Sequence, residues 1–493
     1  MNKYILGIDQ STQGTKAMLF DQNGHIVLRK DLSHKQIIDE KGWVEHDPEE
    51  ILKNVYQLIG MIKNSSLMEE GTIIGVGISN QRETAMVWNR ETGKPLYNAI
   101  VWQCARGIHI CEEIEEQGHA KEVQARTGLQ LSPYFSAAKI AWVLKNVPEA
   151  QTLAKEGKLC CGTMDSWLIY NLTKEHAFKT DYSNASRTQL FNINELKWDE
   201  KICGWFEIPL NSLAEVCDSN TLFGYTDFGG VLDEEIPIHG VLGDSHGALF
   251  GQGCLTSGTA KVTYGTGSSV MMNIGANPVF SDKGIVTSLA WSMDGKAEYV
   301  LEGNINYTGA VITWLQNDLK LISSAKETAA LASAANKSDK TYLVPAFTGL
   351  GAPYWDSDAT ASIVGMTRVT GKNEIVKAAL DAIAYQITDI VRLMHEESGI
   401  TLKDIRVDGG PTRNEYLMQF QSDQLRIPVE VADAEEFSAM GPAFAAGIAL
   451  HFYDKDTIFS CVKRQAYVPQ KAADITEKEY GGWKQAVQKV LTK

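Results

Sequence analysis

The residues best suited to chemistry in this chain are Asp244, Ser245 and His246, which follow one another directly after an apolar segment. A carboxylate, a hydroxyl and an imidazole at the end of a buried-looking strand are compatible with three chemistries. They could form a serine hydrolase, a metal site, or a general base that takes the proton from an alcohol. Other motifs in the sequence help to distinguish these three.

Two of the three chemistries meet objections. The residues GDS at 243–245 are similar to the start of the GDSL esterases, whose nucleophile lies near the N-terminus and precedes a DxxH block. Here the DxxH segment at 31–34 comes before Ser245, so the order is reversed. A metal site on His246 lacks a neighbouring HxH, HExxH or carboxylate cluster. His246 is also compatible with a packed, hydrogen-bonded histidine of the core.

The segment 9–16, DQSTQGTK, has the composition of a phosphate-binding hairpin. Backbone N–H groups and hydroxyls in such a turn bind phosphate oxygens, and Lys16 adds positive charge. Asp9, at the end of the preceding strand, could hold a hydrated Mg²⁺. The GxxxxGK[ST] spacing of a Walker A loop is absent. A solvated hairpin would have the same composition, so this motif alone leaves both interpretations open.

Two further polar motifs follow predicted strands. The glycines of DGG at 408–410 would let the backbone approach a flat or anionic ligand closely, although a tight turn has the same pattern. In NQRET, at 80–84, Arg82 and Glu83 offer the mixture of donors and acceptors that a small ligand with several hydroxyl groups requires. In most proteins, neighbouring Arg and Glu residues form an ordinary surface ion pair and do not bind a ligand.

These motifs need elements that bring them together, and the sequence pattern predicts an α/β protein in two halves. Apolar segments around a polar, glycine-containing turn predict β-hairpins at 4–20 and 260–274, and each hairpin opens one half. We therefore expect two related domains, 1–250 and 251–493, that face one ligand. The predicted helices include 50–62, 309–319, 374–395 and 441–452.

Composition and charge argue against several classes of function. With 493 residues, 44% hydrophobic and 22% charged, the chain is long enough for at least two globular domains. Its net charge of −15 argues against a nucleic-acid or anionic-membrane partner, and a phosphate ligand would need local donors or a metal. We find no signal-peptide pattern, no apolar run of roughly 18 residues, and no CxxC pair among the cysteines. A cytoplasmic protein with reduced thiols is predicted.

Taken together, the chain resembles the FGGY family of carbohydrate kinases, part of the actin-like ATPase superfamily, with glycerol kinases as the members most similar in their motifs. The resemblance covers nearly the whole chain. The segments that carry it are GWVEHDP (42–48), NQRET (80–84), NAIVWQC (98–104), PYFSAAK (133–139), DYSNASRT (181–188), YGTG (264–267), PAFTGLGAPYWD (345–356) and DGG (408–410).

The resemblance implies an α/β fold of two actin-like, ribonuclease-H-like domains with a central cleft. ATP and Mg²⁺ enter from one side, and a small polyol or sugar enters from the other. The positions that match polyol-binding residues are Arg82, Glu83, Trp102, Tyr134 and Asp244. The positions that match or adjoin nucleotide-binding residues are Thr12, Gln13, Gly14, Lys16, Thr266, Gly267, Gly309, Gly410 and Asn414. Asp9 is associated with the metal, with Asp244 as a second carboxylate.

This resemblance selects the third chemistry for Asp244, because a carboxylate near an alcohol can accept its proton during phosphoryl transfer. The chain also departs from glycerol kinases, which usually have Gln at the position of Ser245 and a bulky aromatic residue at that of Ser269. Smaller, hydroxyl-bearing residues predict a pocket for a longer or more polar acceptor, such as erythritol, xylulose or another four- or five-carbon polyol or ketose. His246 could then also contact the substrate.

Two other functions stay open from the sequence: an actin-like ATPase without a small acceptor, and a catalytically silent sugar sensor. The polyol-binding cluster argues against the first, and the presence of both Asp9 and Asp244 argues against the second. We also expect a homo-oligomer, a dimer or a tetramer.

Overall fold

Two large mixed β-sheets, one from each half of the chain, form the frame of the protein. The computed structural model describes residues 2–492. The strands are β1 (Asn2–Gln10), β2 (Gly14–Phe20), β3 (Ile26–Ser33), β4 (Gln36–Ile38), β5 (Val44–His46), β6 (Gly71–Asn80), β7 (Ala85–Asn89), β8 (Ala99–Ile100), β9 (Leu159–Thr163), β10 (Lys179–Asp181), β11 (Phe191–Asn192), β12 (Lys197–Trp198), β13 (Glu215–Cys217), β14 (Leu222–Thr226), β15 (Ile236–Gly243), β16 (Thr259–Tyr264), β17 (Ser268–Gly275), β18 (Val286–Met293), β19 (Lys296–Ile305), β20 (Tyr342–Val344), β21 (Ser362–Val364), β22 (Asp404–Asp408), β23 (Val429–Ala432) and β24 (Arg464–Tyr467). The helices are α1 (Pro48–Lys63), α2 (Ile108–Glu116), α3 (Ala120–Thr127), α4 (Ser136–Asn146), α5 (Pro148–Glu156), α6 (Met164–Leu172), α7 (Tyr182–Ala185), α8 (Glu200–Trp205), α9 (Asp244–Gly251), α10 (Gly309–Asn317), α11 (Thr328–Ser333), α12 (Lys372–Ser398), α13 (Glu415–Leu425), α14 (Phe437–Ala449) and α15 (Ala473–Gln488).

The two sheets repeat one strand pattern. In the first, with the order β14-β15-β6-β1-β2-β3, the hairpin β1–β2 is extended by antiparallel β3 on one side and by parallel β6 on the other. In the second, with the order β18-β19-β17-β16-β22-β23-β24, the hairpin β16–β17 is extended by antiparallel β19 and by parallel β22. Both predicted hairpins are confirmed. The division into 1–250 and 251–493 stays a prediction.

The burial of each strand follows from its position in the sheet. Strand β1 is buried at seven consecutive positions from Tyr4 to Gln10, as expected for a central strand covered on both faces. Strand β3, at the edge, alternates between half-buried and exposed residues. A separate five-stranded sheet, β4-β5-β8-β7-β9, lies in the first half. It carries the segment between β7 and β9 that contributes the aromatic residues of the site described below.

Helix α14 packs against both α9 and the first sheet, and the close approach depends on glycine. A Cβ atom on Gly441 of α14 would lie 2.0 Å from the carbonyl oxygen of Gly247 in α9. A Cβ atom on Gly77 of β6 would lie 2.3 Å from the backbone of Pro442. These contacts fix where α9 begins, and therefore fix the position of its first residue, Asp244.

The predicted helices are present with different ends. The segments predicted at 309–319 and 374–395 are Gly309–Asn317 and Lys372–Ser398. The helix predicted at 441–452 is Phe437–Ala449, with Pro442 inside it. Within residues 2–492, no helix combines the length and the apolar character that crossing a membrane requires.

A pair of glycine substitutions tests the role of the α9–α14 contact. We expect Gly441→Ala to lower the melting temperature by several degrees, because overpacking of this kind costs about 1–3 kcal/mol. The matched control is Gly481→Ala in α15, where a Cβ atom would meet no atom within 4 Å. The control should be neutral or stabilising, since alanine favours helix over glycine. Equal melting temperatures for the two variants, measured by differential scanning calorimetry, would contradict this account.

Candidate active site

Asp244 lies at the junction of two cavities. It is the first residue of α9, directly after β15, and its side chain is 34% exposed. A cavity of about 370 Å³, the hairpin cavity, is lined by the turn 11–16, by part of β3, and by Asp244. A cavity of about 600 Å³, the acceptor cavity, is lined by Asp244, by residues of the first half, and by β16, β17 and β19. A reactive group at Asp244 would therefore be in reach of ligands in both cavities.

A buried set of charges forms the floor of the acceptor cavity. Both terminal nitrogens of Arg82 donate to the carboxylate of Glu302 in β19, at 2.9 and 3.0 Å. Arg187 lies 3.1 Å from the same carboxylate and donates to Glu83 at 2.5 Å. Burial alone would raise the pKa of Glu302, but Arg187 and Arg82 outweigh burial and hold that pKa well below its usual value. Glu302 is therefore ionised and joins the two halves of the chain.

The guanidinium of Arg82 also orients Asp244. Its Nε lies 3.2 Å from Oδ1 of Asp244, an ion pair in which Asp244 keeps its second oxygen free of this contact. The same Oδ1 accepts a hydrogen bond of 2.6 Å from the backbone N–H of Ser245. A Cβ atom on Gly243 would lie 2.6 Å from the Arg82 side chain, so glycine is needed for Arg82 to pass. Arg82 thus crosses the end of β15 to reach both carboxylates.

Two aromatic residues line the acceptor cavity opposite the second sheet. The rings of Trp102 and Tyr134 meet edge to face, with centroids 5.6 Å apart. The indole N–H of Trp102 donates to Oγ1 of Thr12 at 3.0 Å. Thr12 belongs to the turn that lines the hairpin cavity. The aromatic wall is therefore attached directly to the predicted phosphate-binding turn.

The backbone that presents Arg82 and Glu83 is strained and held in place by α4. Glu83 has φ +58°, in the left-handed region, and the N–H of Thr84 donates to the carbonyl of Arg82 at 2.7 Å. Oγ of Ser136 donates to the carbonyl of Glu83 at 3.1 Å. Such strain is common where a structure holds a side chain for function.

The neighbouring segment is fixed by a buried lysine. Nζ of Lys139 donates to the carbonyls of Pro133 and Phe135, at 2.8 and 3.0 Å, and to that of Tyr134. Burial lowers the pKa of Lys139 to about 7. The lysine therefore positions the segment that carries Tyr134 without lining the cavity itself.

Two predicted substrate-binding residues do not line the acceptor cavity. His246 is fully buried in α9, and its Nε2 lies 3.2 Å from Oγ of Ser288. Burial, with Arg82 nearby, lowers its pKa well below the usual value, so it is neutral. Glu83 is buried against Arg187 and acts on the cavity only through that residue. The remaining predicted substrate residues, Arg82, Trp102, Tyr134, Asp244, Ser245 and Ser269, all line it.

The predicted nucleotide residues of the first half line the hairpin cavity: Thr12, Gln13, Gly14 and Lys16. Nζ of Lys16 lies 2.8 Å from Glu436 and 3.7 Å from Asp9. In the second half, Gly267 lines the acceptor cavity. The carbonyl of Thr266 accepts from the N–H of Thr308 at 2.9 Å, and Gly309 donates to Gly265, so this hairpin tip abuts the start of α10.

The other two predicted nucleotide residues differ in their surroundings. Gly410 is exposed, and a Cβ atom there would meet nothing within 4 Å, so the backbone is open to a ligand. Its neighbour Gly409 has φ +100° and packs against the carbonyl of Tyr264, beside the same hairpin tip. Asn414 caps α13, and its amide donates to Thr328, so both ends of this side chain have structural partners.

The carboxylate of Asp9 fits a divalent cation. Its Oδ1 is buried and makes no hydrogen bond among the residues that the structure describes. Burial raises the pKa of Asp9 to about 6, with Lys16 opposing this shift and Asp244 adding to it. No group of three or more potential ligands occurs within residues 2–492. This suits Mg²⁺, which is usually held by one or two carboxylates together with water and substrate phosphates.

Sequence reasoning missed three charged residues of the site. Glu302 and Arg187 form the buried floor, and Lys261, whose pKa burial lowers, lines the acceptor cavity and donates to Thr263 at 3.0 Å. Glu302 and Lys261 are the charged residues in otherwise uncharged strand segments, YVLEGNI and TAKVTY. A charged residue in a buried strand could have identified these site residues, because a buried charge needs a partner. Arg187 lies in a segment already noted, DYSNASRT.

Most of the chain matches one protein family. Residues 4–251 match the N-terminal domain of the FGGY family of carbohydrate kinases, and residues 260–450 match its C-terminal domain. The chain is 49% identical over 491 residues to glycerol kinase 1 of Thermotoga maritima, covering 99% of this chain and 100% of the relative. It is 47% identical over 497 residues to the glycerol kinase of Alkaliphilus oremlandii, covering 100% of this chain and 98% of the relative.

Solved structures agree with this. The glycerol kinase of Plasmodium falciparum with ADP superimposes with a TM-score of 0.95 at 38% identity, over 100% of this chain and 99% of that one. The ligand-bound xylulose kinase of Lactobacillus acidophilus has a TM-score of 0.88 at 21% identity, over 99% and 98%, and shows the shared fold. The predicted α/β fold of two actin-like domains is confirmed.

The charged floor can be tested through stability and its pH dependence. We expect Glu302→Gln to lower the free energy of unfolding by about 3–5 kcal/mol near pH 7, because two buried guanidinium groups lose their shared carboxylate. The folded-state pKa of Glu302 is depressed, so this stabilisation is present above the unfolded value near 4.5 and lost as the pH falls below it. The difference between the wild type and the variant should therefore shrink on acidification.

The measurement is urea unfolding of both proteins between pH 7 and pH 3. The control is Glu435→Gln, which removes an exposed ion pair with Arg413 and should be near neutral. A Glu302→Gln variant as stable as this control at pH 7 would show that the floor does not join the two halves.

Proposed function

The chain belongs to the FGGY family of carbohydrate kinases and is an ATP-dependent phosphotransferase with an alcohol acceptor; we propose that Asp244 is its general base. The acceptor is a small polyol or sugar in the acceptor cavity, and its terminal hydroxyl receives the γ-phosphoryl group of ATP. The observation that supports this most is that Asp244, alone among residues 2–492, lines both cavities. A base at that junction can meet the attacking hydroxyl and the phosphoryl group together.

Asp244 is prepared for this role by its neighbours. Arg82 and the N–H of Ser245 both contact Oδ1, which leaves Oδ2 to accept the hydroxyl proton. The terminal oxygen then bonds to the γ-phosphorus as the bond to the ADP oxygen breaks. Because phosphoryl transfer depends mainly on positioning and charge neutralisation, a fixed carboxylate of this kind suits the reaction.

The acceptor cavity suits a neutral ligand with both carbon and hydroxyl faces. Trp102 and Tyr134 offer ring surfaces to carbon, while Arg82 and Asp244 offer a donor and an acceptor. A neutral polyol is not repelled by the net charge of −15. This cavity supports an acceptor-dependent kinase over an ATPase without a small acceptor.

The nucleotide, in contrast, needs local positive charge and backbone donors. Lys16 and the turn 11–16 supply these in the hairpin cavity, and Lys261 supplies charge in the acceptor cavity. Gly410 leaves its backbone open beside the second hairpin tip. Mg²⁺ would neutralise phosphate charge when bound, and Asp9 would hold it. Asp244 as a second metal ligand stays a prediction, because Arg82 and the N–H of Ser245 contact its Oδ1 and the proposed mechanism uses its Oδ2 for the proton. The cytoplasmic location and the homo-oligomer stay predictions.

Asp244→Asn tests the general base. We expect kcat to fall by at least about 10²-fold, because an amide cannot accept the proton, while ADP binding is largely kept. Turnover is measured by coupled ADP release, and binding by calorimetry. Asp233→Asn, at a position whose side chain is 87% exposed, is the matched control and should turn over normally. Near-normal turnover by Asp244→Asn would remove Asp244 from the mechanism.

Asp9→Asn tests the metal assignment. Chelation by EDTA should stop turnover of the wild type, and added Mg²⁺ should restore it. In the variant, the Mg²⁺ concentration for half-maximal rate should rise at least about tenfold, because one of the anionic ligands is lost. An unchanged Mg²⁺ requirement would mean that Asp9 does not hold the metal.

A further inference from the structure

One side of the acceptor cavity is lined by polar side chains from both halves of the chain. This side, the polar wall, consists of Ser245 in α9, Ser269 in β17, Asn304 in β19 and Asn306 just after β19. Oγ of Ser269 is buried and makes no hydrogen bond in the described part of the chain. A buried hydroxyl without a partner costs free energy, and a ligand that supplies one removes that cost.

The strand register places these side chains together. Ser269 of β17 and Asn304 of β19 are directly opposite one another, so their side chains share one face of the sheet. Glu302 lies two residues before Asn304, and Asn306 two residues after it, as expected for positions that share a face. Glu302 has Arg82 and Arg187 as partners. Asn304 and Asn306 are exposed and line the cavity.

The number of polar groups exceeds what a three-carbon acceptor can use. With its reacting hydroxyl at Asp244, glycerol has two hydroxyls left, and Arg82 and Ser245 lie next to Asp244 to bind them. Ser269, Asn304 and Asn306 would then remain without a ligand. Each amide offers both donors and an acceptor, and the hydroxyl offers both roles, so this wall matches further hydroxyl or carbonyl groups.

We propose that the preferred acceptor is a linear polyol or ketose of four or five carbons, whose groups beyond the reacting end are bound by the polar wall. This rests on the proposed function, since it places the terminal hydroxyl at Asp244. The terminal oxygen bonds to the γ-phosphorus, the bond to the ADP oxygen breaks, and the proton passes to Asp244. The products are a sugar or polyol phosphate and ADP.

The first test is coupled ADP release with glycerol, erythritol, xylitol, ribulose, xylulose and a hexitol. We expect the best four- or five-carbon acceptor to exceed glycerol in kcat/KM by at least about tenfold, which lies within the roughly 10–200-fold range of such pocket contacts. Preference for glycerol or for the hexitol would overturn the size class while leaving the kinase in place. Absence of acceptor-dependent ADP release with the whole panel would overturn the proposed function itself.

Variants of the polar wall test which residues carry the preference. Ser269→Ala and Asn304→Ala should each reduce the ratio of kcat/KM for the long acceptor to that for glycerol, mainly through KM of the long acceptor. Ser269→Phe combined with Ser245→Gln should shift this ratio towards glycerol by at least about tenfold. Because the ratio is taken within one preparation, partial unfolding of a variant does not affect it.

Asn317→Ala, at the exposed end of α10, is the matched control and should leave the ratio unchanged. Polar-wall variants whose ratios equal that of this control would show that the wall does not select the acceptor, and would overturn the proposal.

Discussion

The carboxylate of Glu302 is the point on which the rest of the site depends. It comes from β19 of the second sheet, yet its partners Arg82 and Arg187 come from the first half of the chain. Two buried guanidinium groups without a carboxylate would be far more costly than the paired set. With Glu302 in place, Arg82 is fixed at the floor of the acceptor cavity and turns its Nε towards Asp244. The charge that joins the two halves thus also sets the direction of the proposed base.

From this floor, a series of contacts extends to the aromatic wall. Arg187 holds Glu83, whose left-handed backbone is supported by Ser136 at the start of α4. The same helix carries Lys139, which fixes the carbonyls on either side of Tyr134. The strained backbone at Glu83 and the buried Lys139 therefore hold these residues in position before any ligand binds. Such preorganisation favours phosphoryl transfer, where positioning supplies much of the rate.

Sequence alone predicted the parts of the site that lie at strand ends, because hairpins, glycines and strand boundaries are local signals. The turn 11–16, Asp244 and the hairpin at 260–274 are of this kind. Contacts between distant residues were not predictable in the same way: Arg82 and Glu302 are 220 positions apart. His246, expected near the substrate, faces Ser288 instead, because its helix turns it into the core.

A structure with an acceptor and a non-hydrolysable ATP analogue bound together tests the central claim most directly. The account predicts that the terminal hydroxyl of the acceptor lies within hydrogen-bond distance of Asp244, about 2.6–3.2 Å, and faces the γ-phosphate across the junction of the two cavities. An acceptor bound away from Asp244, or a γ-phosphate that reaches a different part of the acceptor cavity, would contradict it.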